Sequence, residues 1–222
     1  MNRFYSIFED MSKVQDRSVV WNNFLDFSIN ACLLQSQQVD YKGNESQYME
    51  MLESWLLQLN EDLESKPYSD RLGLFYEELV TSHVKSKSIG QFYTPVTVTD
   101  LMNKLSLPNN DLSLMDNDIF INDCACGSAR MLLSAHVKTK GECICIGQDL
   151  DETSCKMAVL NFWSHGVRGS ILHMDTLTGE FYNAWRVNNY LYYGLPVPHI
   201  ELVSQREAYD FMNNSRSKHF NA

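Results

Sequence analysis

A chain of 222 residues with 44% hydrophobic residues is long enough for one well-buried core and a helical appendage. Its formal charge of -10 excludes a protein that coats nucleic acid uniformly, because Lys and Arg supply most non-specific affinity for phosphate; any DNA contact has to come from a local patch. Apolar runs such as Trp55-Leu56-Leu57 fall far short of the ~20 residues that span a bilayer, the first ten residues lack a signal-peptide pattern, and six cysteines without such a leader read as reduced thiols, so a cytoplasmic protein is expected.

Residues 1–88 read as a helical unit. Tyr48, Met51, Leu52, Trp55, Leu56 and Leu59 recur at the three-and-four spacing of one buried helix face, and Leu72, Phe75, Tyr76, Leu79, Val80 and His83 repeat the pattern. Gly43-Asn44 marks a turn, and Lys66-Pro67-Tyr68-Ser69-Asp70 supplies a break followed by a helix N-cap. From residue 89 to the end the texture changes. Thr94 is expected as an N-cap with Pro95 at the first helical position, and Val98, Leu101, Met102 and Leu105 as that helix's inner face. Ile119–Asn122, Cys143–Gly147 and Ser170–His173 read as strands, the first two followed by helices, which predicts a parallel sheet with crossover helices. Two small basic clusters, His83 with Lys85 and Lys87 and Arg168 beside Gly166 and Gly169, read more simply as solvated surface than as DNA patches.

In open parallel sheets ligands sit beyond the carboxyl ends of the strands. Asp123 follows the first strand and leads into Cys124-Ala125-Cys126-Gly127-Ser128-Ala129; Asp149 follows the second strand and Asp175 the third. One such Asp is often only a helix N-cap, but three together with a glycine turn suit a cationic, ribose-bearing ligand, and S-adenosylmethionine fits that description. Gly127 stands alone where a dinucleotide would need Gly-x-Gly-x-x-Gly. The Cys124/Cys126 and Cys143/Cys145 pairs are too narrowly spaced for a usual zinc site, and His165, His173 and His199 have no ligand partner at helical spacing, so no metal is expected.

Three ordered segments, Gly90-Gln91-Phe92-Tyr93-Thr94-Pro95, Asn122 to Ala129, and Gly147-Gln148-Asp149-Leu150-Asp151, resemble successive motifs of N6-adenine DNA methyltransferases, especially the modification subunits of type I restriction systems and their small phage or mobile-element relatives. The resemblance covers roughly residues 70–178 and implies an α/β fold: an S-adenosylmethionine-dependent methyltransferase core, Rossmann-like and shortened, behind an N-terminal helical unit. It implies that Phe92, Tyr93, Thr94 and Pro95 border the methionine end of the cofactor, and that Asp123 lies near the methionine ammonium with Cys126 and Gly127 lining the turn. By the same resemblance Asp149 accepts from the ribose hydroxyls and Asp175 from the adenine amino group. Cys124, Ala129 and Asp149 stand where the family usually has proline, glycine and glutamate.

The family's catalytic motif, Asp or Asn followed by Pro-Pro and an aromatic residue, does not occur. In the window Ala184 to Leu191, Asn188 or Asn189 would accept from the target amine and Tyr190 would stack on the flipped base. An ordinary strand or turn is the simpler reading of that window, and Pro196 and Pro198 look like turn prolines. Few residues follow Asp175, so a truncated sheet is expected, with a homodimer or a partner subunit covering it. Two functions follow: a site-specific adenine DNA methyltransferase, or a non-catalytic module of that fold acting as partner or regulator in a restriction-modification or other DNA-processing complex.

Overall fold

The computed structural model describes residues 3–35, 37, 39–81, 94–107, 119–191 and 197–217. The N-terminal part is helical: α1 (Arg3–Ser12), α2 (Arg17–Cys32), α3 (Glu45–Leu63) and α4 (Arg71–Tyr76), the last continuing into a π-helical turn over Glu77–Thr81. Asp16 and Asp70 start α2 and α4 by accepting from the backbone N–H groups of Ser18 and Gly73, satisfying donors that the first turn leaves unpaired. The expected faces are buried: Tyr48, Met51, Trp55 and Leu59 from α3, then Leu72, Phe75, Leu79 and Val80. Phe4 stacks on Phe75 with ring centroids 4.5 Å apart, locking α1 onto α4.

The remainder is α5 (Val96–Ser106), β1 (Ile119–Asp123), α6 (Arg130–Lys138), β2 (Cys143–Asp149), α7 (Glu152–His165), β3 (Gly169–Met174), β4 (Phe181–Val187), β5 (Ile200–Leu202) and α8 (Gln205–Ser217). Strand order follows chain order, β1-β2-β3-β4-β5. β1, β2 and β3 are parallel, with α6 and α7 as crossovers; β4 runs back antiparallel to β3, and β5 turns again, antiparallel to β4 and in the direction of β1 to β3. β2 holds the centre of the parallel part, and its Cys143-Ile144-Cys145-Ile146 run is buried throughout, as a strand covered on both faces should be.

One buried cluster runs from Phe4 through α2, α3, α6 and α7 to Ile171 and Ile200, so the N-terminal helices and one face of the sheet share a core. The opposite face, carrying Ile146, Leu172, Met174 and Ala184, is covered by α8 through Ala208 and Met212. No helix among the described residues is long and apolar enough to cross a membrane.

Two expectations are corrected here. Pro95, not Thr94, is the cap of α5, which begins at Val96 without a side-chain cap bond. The stripe expected inside α5 faces solvent instead: Val98, Leu101, Met102 and Leu105 are 43%, 56%, 42% and 79% exposed. Polar residues occupy the inner side. Thr99 and Asn103 are buried; Asn103 donates to the Met131 carbonyl (2.9 Å), and Asp100 accepts from Tyr68 (2.7 Å) and Ser134 (2.8 Å). These hydrogen bonds to defined partners fix which face of the helix turns inward.

Candidate cofactor site at the strand ends

β1 ends at Asp123, β2 ends at Asp149 and β3 runs out to Asp175. The parallel register, Asp123 opposite Gly147 and Asp149 opposite His173, sets the three carboxylates along one rim of the sheet. Sequence reasoning had grouped these residues, and the structure does bring them together.

Asp149 holds the rim in shape. Its Oδ2 accepts from the Gly127 N–H (2.8 Å) and its Oδ1 from the Asp151 N–H (2.9 Å), while the Cys126 N–H donates to the Gln148 carbonyl (2.9 Å). The turn after β1 is thereby tied to the end of β2, and each carboxylate oxygen keeps capacity for a second donor. Asp123 accepts from the Ala125 N–H (3.1 Å). Burial raises its pKa; the Ala125 N–H acts the other way, and the neighbouring Asp149 charge adds to the rise, so a bound cation would relieve two charges at once. Asp175 turns the chain from β3 to β4, its Oδ1 accepting from Leu177 (2.8 Å) and Thr178 (3.2 Å), and these backbone bonds lower its pKa.

Gly127 has φ +55 and Ala129 φ +70. Burial pushes the Cys126 thiol up, keeping it neutral. Ala129 adopts a conformation that L residues disfavour by roughly 1–2 kcal/mol, yet its methyl is fully buried and worth about 0.8 kcal/mol there. Ala129→Gly is therefore expected to change stability by less than about 1 kcal/mol, a shift in thermal midpoint of at most ~4 °C. A midpoint change well beyond this range in calorimetry would show that this balance is wrong.

A buried network lies beneath the turn, and sequence reasoning had assigned its central residue only a capping role. The Asp70 side chain, 1% exposed, accepts from Gly73 N–H (2.9 Å) and Asn161 (2.8 Å) on Oδ1, and from Ser128 (2.5 Å) and Arg130 Nε (2.9 Å) on Oδ2. Asn161 also donates to the Ser128 carbonyl (2.8 Å), and the Arg130 guanidinium donates to the Thr94 carbonyl (2.9 Å). The N-terminal helices, the turn after β1 and α7 therefore meet on the Asp70 carboxylate, and the start of α5 joins them through Arg130. An arginine heading the otherwise apolar Met131-Leu132-Leu133 run of α6 was the available signal, since a buried guanidinium needs a buried anion. Thr94, Asp123, Ala125, Cys126, Gly127, Ser128, Arg130 and Met131 line a cleft of about 50 Å³ over this network. Pro95 follows Thr94 on the exposed side, and Phe92, Tyr93, His83, Lys85 and Lys87 lie outside the described residues.

Asn188, Asn189 and Tyr190 are not at this rim. Val187 pairs with Gly169, the first residue of β3, so the three follow β4 at the opposite end of the sheet. Asn188 is fully buried, donating to the carbonyls of Phe162 (2.9 Å) and Val167 (3.1 Å) and accepting from the His199 N–H (3.1 Å). Tyr190 stacks on His199, ring centroids 5.6 Å apart. Every heavy-atom partner of the Asn188 amide is structural, which corrects the expectation that it serves a substrate amine. Among the described residues no group of three or more His, Cys, Asp and Glu side chains is placed to hold a metal.

Parallel β-α-β-α-β topology, a glycine turn after the first strand and carboxylates at three successive strand ends define a Rossmann-like α/β domain. The chain belongs to the N-6 DNA Methylase family, which matches residues 68–190, more than half of its length. It is 27% identical over 129 residues to the Type I restriction enzyme MpnII methylase subunit of Mycoplasma pneumoniae, an alignment covering 54% of this chain and 23% of that subunit. A crystal structure described as a class I S-adenosylmethionine-dependent methyltransferase from Listeria monocytogenes is similar over 77% of this chain and 52% of its own, with TM-score 0.47 and 14% identity. The chain thus spans about a quarter of the methylase subunit's length and half of that structure. The family match includes Asp70 as well as Asp123, Asp149 and Asp175.

Proposed function

We propose that the rim of β1 to β3 binds S-adenosylmethionine and that the chain serves adenine-N6 methylation of DNA. The observation that carries this reading is the Asp149 carboxylate, which holds the Gly127 turn while keeping acceptor capacity for two ribose hydroxyls. Asp123 would face the methionine ammonium, the Cys126-Gly127 backbone would lie along the ligand, Asp175 would accept from the adenine amino group, and Phe92 to Pro95 would border the methionine end. The cofactor supplies an electrophilic methyl group on its sulfonium; the protein's contribution is to hold it and exclude water. DNA, the second substrate, would have to find a local basic patch on an acidic chain.

Titration calorimetry with S-adenosylmethionine on the wild type and on Asp149→Ala tests the first step. Loss of a charge-assisted acceptor should weaken binding by roughly 10- to 100-fold, the equivalent of about 1.5–3 kcal/mol. Absence of any binding by the wild type at saturating cofactor would overturn the reading.

The placement of Asn188 favours a second reading beside it. Adenine N6 needs an acceptor for its amine protons and an aromatic ring for the extruded base, and the three residues that match this chemistry in sequence are at the wrong end of the sheet. Under this reading the chain binds cofactor but acts as a partner or regulator in a restriction-modification or DNA-processing complex, with a partner subunit beside its sheet. Transfer of labelled methyl groups to unmethylated DNA by the chain alone would exclude it.

A further inference from the structure

His165 closes α7 with both ring nitrogens committed. Its Nδ1 stands 2.8 Å from the Asn161 carbonyl one turn back, a group that can only accept, so Nδ1 carries the proton. The Ser164 hydroxyl, 3.1 Å from the same nitrogen, turns its own proton to that carbonyl. On the other side of the ring Nε2 stands 3.2 Å from the Ser69 backbone N–H, which can only donate, so Nε2 presents a lone pair. The two contacts admit the neutral imidazole in one tautomer and no other state. A proton added at Nε2 would set N–H against N–H and leave the buried Ser69 without its acceptor.

The place of this contact gives it reach. Ser69 leads directly into Asp70, and α7 grips the two consecutive residues with two side chains one turn apart. His165 accepts from the Ser69 backbone, and Asn161 donates both to Asp70 Oδ1 and to the Ser128 carbonyl, each at 2.8 Å. The Ser69 hydroxyl is spent on Asp62 of α3 (2.6 Å). Amide and hydroxyl contacts keep their strength as pH falls below neutrality; the imidazole contact does not.

We infer that His165 is a proton-operated latch between α7 and Ser69: neutral, it holds the entry to α4 in place beneath the glycine turn, and protonated, it lets that entry go. The surrounding charges agree. Burial holds the ring below the usual imidazole range; the Asn161 carbonyl and the Asp70 charge act the other way, and His136 on α6 adds to the lowering. Asp70 already faces Arg130, and Asp62 faces Arg71 and Lys66, so both acids near Ser69 are compensated before an imidazolium forms. Because the folded value is the depressed one, the unfolded chain takes up the proton first. The stability that His165 contributes is complete above about 6.5, the unfolded value, and is lost as pH falls through the folded one.

Nuclear magnetic resonance of the full chain at about pH 7.5 and about pH 5, on either side of the ordinary imidazole range, decides it. At the higher pH the ring nitrogen shifts of His165 should report a proton on Nδ1 and none on Nε2. At the lower pH the protection of the Ser69 amide against hydrogen exchange, corrected for the intrinsic rate, should be roughly fivefold to tenfold weaker, the equivalent of one lost hydrogen bond. The Gly73 amide should follow, since Asp70 Oδ1 is its acceptor. His165→Gln, whose side-chain carbonyl accepts from Ser69 at either pH, should abolish the dependence; if that variant fails to fold, the wild-type ring shifts and Ser69 protection decide alone. Ser69 protection that stays constant in the wild type, a proton on Nε2 at the higher pH, or a loss that persists undiminished in His165→Gln would overturn the inference.

Discussion

Asp70→Ala is expected to lower the unfolding free energy by about 3–5 kcal/mol, the cost of breaking a buried ion pair by removing one partner. The magnitude follows from what stays behind. The Arg130 side chain is 8% exposed, and its remaining anion, Glu77, stands 3.5 Å away with a side chain 41% exposed, too solvated to replace a buried partner. Ser128, Asn161 and the Gly73 N–H lose an acceptor at the same time. Urea denaturation should show a lowered midpoint with an unchanged slope. Asp70→Asn, which keeps size and one acceptor, should cost less, and combining it with Arg130→Met should recover part of the loss because no buried charge then lacks a partner. A loss below about 1 kcal/mol for Asp70→Ala would mean that water reaches Arg130 and that the network is not dry. Cofactor affinity should fall with stability, since Ser128 is part of the turn that Asp149 grips.

The comparison of Asp70 with Asp149 shows what sequence can and cannot convey. The place of Asp149 at the rim was legible because it depends only on position after a strand, and strands of Ile and Cys alternating with helices announce themselves. Asp70 was legible only as a cap, because its other partners lie 58 to 91 residues away and no local pattern records them. The α3 and α4 faces were predicted correctly by periodicity. The same periodicity found the α5 stripe and put it on the wrong side, since spacing identifies a face but not what covers it; the polar residues Asp100 and Asn103 decided that by hydrogen bonding to Tyr68 and α6. β4 was only partly legible: its Phe181-Tyr182-Asn183-Ala184-Trp185-Arg186-Val187 run mixes polar and apolar residues without alternation, so its start went unmarked, while the window from Ala184 to Leu191 is the ordinary strand and turn that was its simpler reading. The antiparallel return of β4 carries Asn188 away from the rim.

Gly169→Ala should be the most damaging single-methyl change, with a loss of about 3 kcal/mol or more, the upper end of what overpacking costs. Gly169 opens β3 and pairs with Cys145 on one side and Val187 on the other. A Cβ built there would stand 1.9 Å from the Cys145 carbonyl oxygen and 3.0 Å from the Phe162 ring. The carbonyl cannot retreat as a flexible side chain would, because the Cys145 N–H donates to the Arg168 carbonyl at 2.9 Å and holds the two strands in register. Relief requires β3 to separate from β2 at its start, where Asn188 also ties β4 to the α7 terminus through Phe162 and Val167. The contrast with Gly147 is informative: a Cβ at that position would meet the Ile171 side-chain terminus at 2.7 Å and the Cys126 sulfur at 2.9 Å, atoms that can rotate aside. Gly147→Ala should consequently cost less than Gly169→Ala in paired urea titrations, and equal losses would indicate that the β2–β3 ladder yields as readily as the side chains around Cys126.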